Sequence, residues 1–374
     1  MGFWLWKTFL SSRAWTANQC TEVIDLPKQR VISNIILETY MVSGTQKCNI
    51  FSQDAVTKVE VIGNGSTVIQ SLTGTQLQAS QAWDDGQISA DKELVPSGGC
   101  YAYFDIRFGR FPGDQLYALD CSKWASLELK VTLDVDAGGT AGTTGFTDDS
   151  GKITAYGLFS PDGASLTPLG YLKKAQKKSW TTVDDTTVDL ELPTDYPFRR
   201  LIMLSKTKPT VIYSAFENVS IIVNEGARKP IDNMLGNDIM QLDLAMRGWP
   251  KWMHNCEYYG AAGSINIYSR VGWPIASHVF RKGSDVTPQS IGVDRVSYAY
   301  AGGTANIAVW GWLPEMSMCI DLEKWSGGKH GVEAMLDTFG YDQKADIHFQ
   351  HYQGVSSKAT SLVLEQYATP PSMT

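Results

Sequence analysis

The sequence lacks the long apolar runs and the catalytic signatures that mark membrane-spanning proteins and the common enzyme classes. No apolar stretch approaches the roughly 18 residues that are needed to cross a bilayer. Neither Gly151-Lys152 nor Gly328-Lys329 is followed by Ser or Thr, so a phosphate-binding P-loop is absent. The motifs HExxH, GxSxG and GxGxxG are absent as well. We therefore expect a protein that is not an enzyme, with no catalytic residue, no metal site and no cofactor.

Paired cysteines and excess positive charge are also missing. The six cysteines are scattered without a CxxC pair, which favours reduced, buried thiols over a disulfide framework. The formal net charge of -7 argues against general binding of nucleic acid, which requires a basic surface. One basic cluster exists, formed by Lys173, Lys174, Lys177 and Lys178. Contact with the phosphates of nucleic acid or lipid is one interpretation, but we expect a solvated face or a contact between subunits, and no direct nucleic-acid binding.

What the sequence does have is short runs of alternating or β-branched residues separated by turns. Residues 101–108 (YAYFDIRF) and 127–135 (LELKVTLDV) alternate with a period of two. The tripeptide Gly63-Asn64-Gly65 separates two further runs and is a strong hairpin signal. Helical periodicity is confined to short segments, of which the best are 232–247 and 331–338. These patterns predict an all-β chain with short helices and long loops, and solvent-facing loops at 138–151 and 248–268.

Two pairs of segments repeat in the same order along the chain. Residues 58–65 (KVEVIGNG) resemble 218–226 (NVSIIVNEG), and 118–124 (ALDCSKW) resemble 319–325 (CIDLEKW). The repeat predicts that Val59 is equivalent to Val219, and Asp120 to Asp321. In each copy we expect the Trp that follows the Asp to fill the core beside a capped turn. More residues separate Val219 from Asp321 than separate Val59 from Asp120, and the extra residues of the second copy are expected in loops.

The prolines of the segment 193–197 (PTDYP) interrupt the strand pattern and predict a domain boundary near residue 195. The expected organisation is an N-terminal arm at 1–27, a first domain at 28–195 and a second domain with enlarged loops at 196–374.

The repeated strand, hairpin and Gly-rich loop, together with 108–120 (FGRFPGDQLYALD), resemble the double jelly-roll major capsid proteins. These build tailless icosahedral viruses of the adenovirus and tectivirus lineage, which includes membrane-containing bacteriophages. The resemblance covers about residues 28 to 370. It implies two tandem eight-stranded jelly rolls, a homotrimer with a pseudo-hexagonal outline, and a place in the virion after assembly in the host cytoplasm. The implied partners are further copies of the chain, neighbouring capsomers and minor capsid or vertex proteins.

The first fifteen residues are rich in apolar and aromatic side chains, with two basic residues. Trp favours the boundary between lipid headgroups and acyl chains, and basic residues favour anionic lipid. As a helix, the segment would place Phe3, Trp6 and Leu10 on one side. Packing under a neighbouring subunit and contact with an internal membrane both fit this composition, and the resemblance favours lipid. The residues expected to contact the membrane or the inner shell are Phe3, Trp4, Trp6, Lys7, Phe9 and Arg13.

Two other functions also fit parts of the sequence. A secreted glycan-binding or glycan-cleaving β-sandwich protein would use paired carboxylates such as Asp184, Asp185 and Asp189, which we instead interpret as solvated turn residues. A virion spike or receptor-binding protein would use the Gly/Thr-rich loops. A shared metal site at His348 and His351 is disfavoured, because residues three apart in a strand point to opposite faces.

Overall fold

The computed structural model describes residues 4–15, 17–28, 30–45, 51–89, 97–136, 140, 142–147, 151–161, 166–205, 212–247, 252–260, 263–268, 270–282, 286–291, 295–300, 303–325 and 346–370. The expected helix at 331–338 lies outside these residues, as do residues 138, 139, 141 and 148–150 of the expected loop at 138–151.

Two facing sheets and their connecting helices form the first unit of the chain. One sheet has the strand order β1-β9-β3-β6, with β7 also paired to β3, and the other begins β2-β8-β4-β5. The elements are β1 (Leu5–Ala14), β2 (Gln19–Asp25), β3 (Val31–Val42), α1 (Ser52–Ala55), β4 (Val56–Gly63), β5 (Thr67–Leu72), α2 (Gly74–Asp85), β6 (Gly99–Arg107), β7 (Leu119–Asp120), a 3-10 turn (Cys121–Lys123), β8 (Leu127–Asp134) and β9 (Lys152–Phe159).

The second unit repeats this plan and adds an insertion. Its elements are β10 (Tyr171–Thr181), β11 (Thr186–Glu191), β12 (Phe198–Ser205), α3 (Ile212–Ala215), β13 (Asn218–Val223), β14 (Arg228–Leu235), α4 (Gly236–Arg247), β15 (Trp252–Gly260), β16 (Gly263–Tyr268), β17 (Val271–Lys282), β18 (Val286–Ile291), β19 (Arg295–Tyr300), β20 (Gly303–Pro314), β21 (Ser317–Asp321), α5 (Leu322–Trp325), β22 (Ile347–Gln353) and β23 (Ala359–Ala368).

Strand pairing shows that the two units have the same topology. The order β1-β9-β3-β7 in the first unit corresponds to β10-β23-β12-β21 in the second, and β2-β8-β4-β5 corresponds to β11-β22-β13-β14. The corresponding strands occur in the same order along the chain, and the short helices α1 and α3 precede corresponding strands. The chain therefore contains one eight-stranded arrangement twice.

The residues that the sequence repeat aligns lie at corresponding places in the two units. Val59 on β4 pairs with β8, and Val219 on β13 pairs with β22. Asp120 on β7 lies opposite Val31 at the start of β3, and Asp321 on β21 lies opposite Arg200 near the start of β12. The faint sequence repeat therefore reports a duplication of structure.

The limits of the two units differ from the division expected at residue 195. Strands β10 and β11 precede that residue, yet they pair along their lengths with β23 and β22 of the C-terminal unit. Strands β1 and β2 fall within the expected arm at 1–27, yet they pair with β9 and β8. The prolines at 193–197 lie in a connection inside the second unit. We therefore propose that the units span 5–159 and 171–368.

One continuous sheet joins the two units. Strand β5 pairs in parallel with β10, placing Gln70 opposite Lys174 and Ser71 opposite Ala175, and this contact extends the sheet to β2-β8-β4-β5-β10-β23-β12-β21. Every residue of β12 is buried. Leu201 belongs to the core of the second unit, whereas its neighbour Ile202 belongs to the core of the first. This part of the sheet is thus covered on both faces.

The insertion between α4 and β21 accounts for the greater length of the second copy. It consists of two three-stranded sheets, β15-β20-β17 and β16-β19-β18. The expectation of a loop at 248–268 is wrong, because Trp252–Gly260 and Gly263–Tyr268 are strands. The helix expected at 232–247 begins later, at Gly236, because the preceding residues belong to β14.

Candidate functional site

Helix α2 carries the polar contacts between the two units. The helix begins at Thr73, whose Oγ1 accepts a hydrogen bond from Gln76 N while Gln76 Oε1 accepts one from Thr73 N. It ends at Gly86, which adopts a left-handed conformation with φ of 72°. Both ends are thus defined by local sequence, and the side chains between them decide what the helix packs against.

The two sides of α2 face different partners. Leu77 and Ala82 pack in the core of the first unit. Gln76, Ser80, Trp83 and Asp84 recur at the spacing of one helix face and all contact the second unit. Gln76 Nε2 donates to Ser361 Oγ, and Trp83 Nε1 donates to Ser317 Oγ. The face that meets the second unit is therefore largely polar.

Asp84 is the centre of a buried network of charges. Its Oδ1 accepts hydrogen bonds from Arg199 Nη1 at 2.8 Å and from Arg200 Nη1 at 2.6 Å. Its Oδ2 accepts a third hydrogen bond from Lys174 Nζ at 3.1 Å. The Asp84 side chain is 1% exposed and the three cations are at most 4% exposed. A single carboxylate of the first unit thus binds three cations of the second.

Further carboxylates of the second unit complete this network. Arg199 Nε lies 2.8 Å from Glu323 Oε2, and Arg200 Nε lies 3.0 Å from Asp321 Oδ2. Glu365 accepts a 2.6 Å hydrogen bond from Ser80 Oγ and lies 3.2 Å from Arg199 Nη1. Four carboxylates and three cations are therefore enclosed together. We call these seven residues the buried charge network, and its members are Asp84, Lys174, Arg199, Arg200, Asp321, Glu323 and Glu365.

Attraction between opposite charges keeps Asp84 and Arg200 ionised despite their burial. Burial alone would raise the pKa of Asp84, but Arg199, Lys174 and Arg200 together hold it well below the usual range of an aspartate. Burial would lower the pKa of the Arg200 guanidinium, but Asp321, Asp84 and Glu365 raise it above its usual value. Asp84 and Arg200 are therefore both charged across the physiological pH range.

Next to this network, Arg107 forms further ion pairs within the first unit. Its guanidinium lies 2.8 Å from Asp85 and also binds Asp105. Burial raises the pKa of Asp85, and Arg107 opposes that shift. Asn34 Nδ2 donates to Asp105 Oδ1 at 2.9 Å, which connects this group to β3.

The chemistry of the network is structural. Its charges are paired with one another, and its atoms are closed to solvent. A buried ion pair contributes little net stability, but removing one partner is strongly destabilising because a charge is left uncompensated. Such a network therefore selects one relative placement of the two units. Among the described residues, no group of three His, Cys, Asp or Glu side chains is placed to hold a metal ion, and no helix is long and apolar enough to cross a membrane.

The basic cluster at 173–178 was expected to be solvated or to contact another subunit, and for Lys174 that expectation is wrong. Lys174 is 1% exposed because it alternates with Lys173 on β10 and points toward α2. Lys173 pairs with Asp195 nearer the surface, and Lys177 and Lys178 are exposed. The signal that was missed is the alternation of the strand, which sends one of two adjacent lysines inward.

Of the other residues considered from the sequence, the fold separates His348 from His351 but places His348 beside Asp189. His348 lies on the outer face of β22 between Asp189 and Asp346, whereas His351 is buried among aromatic rings, so the two histidines face opposite sides as expected. Asp185 accepts a hydrogen bond from Tyr352 in an exposed turn.

The repeated Asp caps its turn in each unit. Asp120 accepts from Ser122 N, and Asp321 accepts from Lys324 N. Trp124 is buried against Gly63, where an added Cβ would come within 2.1 Å of the indole, and Trp325 packs on the core of the second unit. The expected Trp beside a capped turn is confirmed in both copies. Cys100, Cys121 and Cys319 are buried, as expected, whereas Cys20 is only half-buried.

The N-terminal residues expected to contact lipid or the inner shell lie on or next to β1, which is a strand and not a helix. The Trp6 side chain is 55% exposed, and Lys7 is exposed nearby. Phe9 packs edge-on against Phe159, and Arg13 Nη1 donates to Val23 O. Trp4 lies against Gly113, and Phe3 lies outside the described residues.

The comparisons with known proteins agree with this architecture. No family model and no curated protein matches the chain. Solved structures match over nearly the whole length. The major capsid protein P2 of bacteriophage PM2 is 11% identical with a TM-score of 0.55, and 98% of each chain is covered. The major capsid protein of Sulfolobus turreted icosahedral virus is 12% identical with a TM-score of 0.59, covering 99% of this chain and 98% of that one.

A quasi-atomic model of the PBCV-1 virus capsid also matches, at 9% identity with a TM-score of 0.56, covering 98% of this chain and 94% of the capsid chain. The shared feature is the fold: two tandem eight-stranded jelly rolls, all-β, with short helices. The predicted fold class and the predicted resemblance are confirmed.

Proposed function

We propose that the chain is a structural subunit of an icosahedral virus shell, which assembles as a trimeric capsomer with a pseudo-hexagonal outline. The observation that carries this proposal is the duplication of one jelly roll along the chain. Two similar units per chain give six similar corners when three chains close into a ring. A capsomer of that shape tiles a flat facet, whereas an enzyme has no use for the repeat.

The buried charge network supports the same role. Three chains imitate sixfold symmetry only if the two units of each chain keep one relative orientation. The β5–β10 pairing and the contacts of Asp84 hold that orientation from two sides. Rigid coupling of similar units is therefore built into the chain.

The likeness in fold to capsid proteins guides the assignment of partners. In this proposal the chain contacts two further copies of itself, neighbouring capsomers and minor capsid or vertex proteins. It is located in the virion after assembly in the host cytoplasm. The N-terminal segment, with Trp4, Trp6 and Lys7 exposed or half-buried at the end of β1, faces an internal membrane or the base of the shell. Contact with nucleic acid and enzymatic activity form no part of the proposal.

Solution mass tests the proposal. The purified chain should form a trimer of about 124 kDa, three times the 41.2 kDa of one chain, because closure of a ring buries an obligate interface. Light scattering coupled to size exclusion measures the mass, and electron microscopy of the same fractions should show pseudo-hexagonal particles. A stable monomer at neutral pH and moderate salt that is retained on a glycan column would instead support the glycan-binding alternative.

A further inference from the structure

Exposed apolar side chains gather at one end of the first unit. Of the large hydrophobic residues that are exposed in the described part of the chain, five are Leu5, Trp6, Phe111, Leu116 and Leu169. The last three are 47%, 51% and 63% exposed. They come from three segments that are far apart in sequence, so their proximity is a property of the fold.

Contacts between backbone and side-chain atoms place these segments side by side. Trp4 lies against Gly113, where an added Cβ would be 3.1 Å from Trp4 Cδ1. Leu169 N donates to Leu116 O at 2.8 Å. Leu5 on β1 lies opposite Phe159 at the end of β9, which in turn lies opposite Ile32 near the start of β3. We call the half-buried Trp4 together with the exposed residues Leu5, Trp6, Phe111, Leu116 and Leu169 the apolar end.

The loop that carries Phe111 and Leu116 is held in place from within. Arg110 Nε lies 2.7 Å from Asp114 Oδ2, and both side chains are buried. Asp114 Oδ1 also accepts from Leu116 N at 3.0 Å, and Gly113 N donates to Ser33 Oγ at 2.7 Å. Ordering this loop requires no partner, so its apolar side chains are presented to the outside in a prepared conformation.

The composition of the apolar end suits a lipid surface. Trp side chains favour the interface between headgroups and acyl chains, and Leu and Phe favour the acyl region. The patch is made from a strand end and two loops, not from a sheet face, so it suits shallow insertion better than a broad contact with a second copy. Two exposed lysines, Lys28 and Lys123, lie near the start of β3. Lys28 precedes β3, and Lys123 is the last residue of the 3-10 turn that follows β7, the short strand paired with β3. Both cations would attract anionic headgroups.

We propose that the loop residues Phe111, Leu116 and Leu169 insert into an anionic lipid surface together with the N-terminal aromatic residues. This inference rests on the proposed shell subunit and adds two loops to its membrane-facing site. The N-terminal segment then acts as one of three contacts rather than as a free tether. Strand β1 stays paired with β9 while the contact forms.

Vesicle binding of the full chain tests the inference. The test variant carries Phe111→Ser, Leu116→Ser and Leu169→Ser, with β1 unchanged. The matched control carries Val183→Ser, Leu235→Ser and Met246→Ser, three exposed hydrophobic residues from other places in the chain. Co-sedimentation uses vesicles of phosphatidylcholine with phosphatidylglycerol, and each sample is also measured by light scattering. The test variant should bind about tenfold or more weakly than the parent, and the control should bind as the parent does.

Three results of the binding measurement overturn the inference. They are absence of parent binding to anionic vesicles, equal binding by test variant and parent, and equal loss of binding in test variant and control. Loss of the trimer in the test variant alone would assign the apolar end to contact between copies and would also overturn it. If the parent is a trimer but does not bind vesicles, the proposed shell function still holds and only the lipid contact is contradicted. If the parent is a monomer that binds vesicles, the proposed shell function is contradicted and the lipid contact is supported. Unchanged thermal unfolding of the test variant shows that any loss of binding is not loss of fold.

Discussion

At the scale of single residues, Lys174 shows how a charge can hold two units together. Its ammonium group reaches Asp84 and Ser80 on α2 and lies 3.5 Å from Glu365 on β23. No local feature distinguishes Lys174 from the neighbouring lysines, because its partner Asp84 lies 90 residues earlier in the chain. Burial of one lysine among four becomes predictable only when the strand pairing is known.

Replacing Lys174 with Met should therefore destabilise the chain strongly. Met preserves much of the aliphatic stem but removes the ammonium, which leaves four buried carboxylates with two cations. Loss of one partner from a buried ionic contact costs about 3–5 kcal/mol of unfolding free energy. Urea unfolding followed by circular dichroism measures the change.

The adjacent substitution Lys173→Met is the matched control. Lys173 lies on the same strand and pairs with the partly exposed Asp195, so its loss should cost at most about 1 kcal/mol. Equal unfolding free energies for the two variants would contradict the role assigned to Lys174.

At the scale of elements, strand β22 places two histidines in opposite electrostatic environments. His351 points inward beside Trp180 and Phe216, and burial lowers its pKa to about 4. His348 points outward, where its hydrogen bond to Asp189, together with Asp346, raises its pKa. The alternation of one strand produces both shifts.

The two histidines should contribute to pH-dependent stability with opposite signs. An unfolded histidine titrates near pH 6.5, so below that pH the unfolded chain binds a proton that buried His351 does not. Stability should fall between about pH 6.5 and about pH 4, and His351→Phe should remove about 3 kcal/mol of this decline. His348 contributes stability that is fully present below about pH 6.5 and is lost as the pH rises through its raised folded pKa. Urea unfolding at several pH values measures both effects.

Comparing His351→Phe with His348→Gln isolates these contributions, because the other titrating groups are shared. The first variant should gain stability relative to the parent as the pH falls, and the second should lose it. Parallel pH profiles for parent and both variants would contradict the environments described for β22.

Elements also show where sequence patterns stop being informative. Helix α2 was not expected, because its face toward the second unit consists of Gln, Ser and Asp with a single Trp, Trp83, and forms no apolar stripe. The local signals for this helix were the reciprocal hydrogen bonds of Thr73 and Gln76 at its start and the glycine, Gly86, at its end. Strand β1 was expected as an N-terminal arm that contacts lipid or a neighbouring subunit, because its pairing partner β9 lies far along the chain. In both elements the local sequence does not identify the partner against which the element packs.

At the scale of the whole molecule, the two units should unfold as one. The sheet β10-β23-β12-β21 belongs to the second unit, but its outer face is covered by α2 and by residues of the first core. Opening either unit exposes apolar surface and unpaired charge of the other. Differential scanning calorimetry of the parent should therefore show one transition, with equal calorimetric and van't Hoff enthalpies.

The variant Lys174→Met should weaken this coupling and broaden or split the transition, whereas Lys173→Met should leave it single. Scans at one fixed protein concentration keep any self-association constant. Two resolved transitions in the parent would show that the charge network does not couple the units.

The duplication is the whole-molecule feature that the sequence predicted best. Short matches around Val59 and Asp120 sufficed, because hairpins and capped turns leave local signatures. The limits of the units were harder to place, since the prolines at 193–197 mark a connection inside the second unit and not a junction. Amino-acid composition likewise did not predict the two sheets of the insertion. Enlarged loops were expected in that region.

The parallel pairing of β5 with β10 has a further consequence for a protein made in many copies. A strand at the margin of a sheet offers unpaired amide and carbonyl groups that any other extended chain can add to. Here parts of two such margins pair with each other inside a single molecule. Crowded subunits then have fewer places at which to associate indiscriminately through their backbones. Association between subunits then depends more on side chains, whose shape and charge distinguish a correct neighbour from a wrong one.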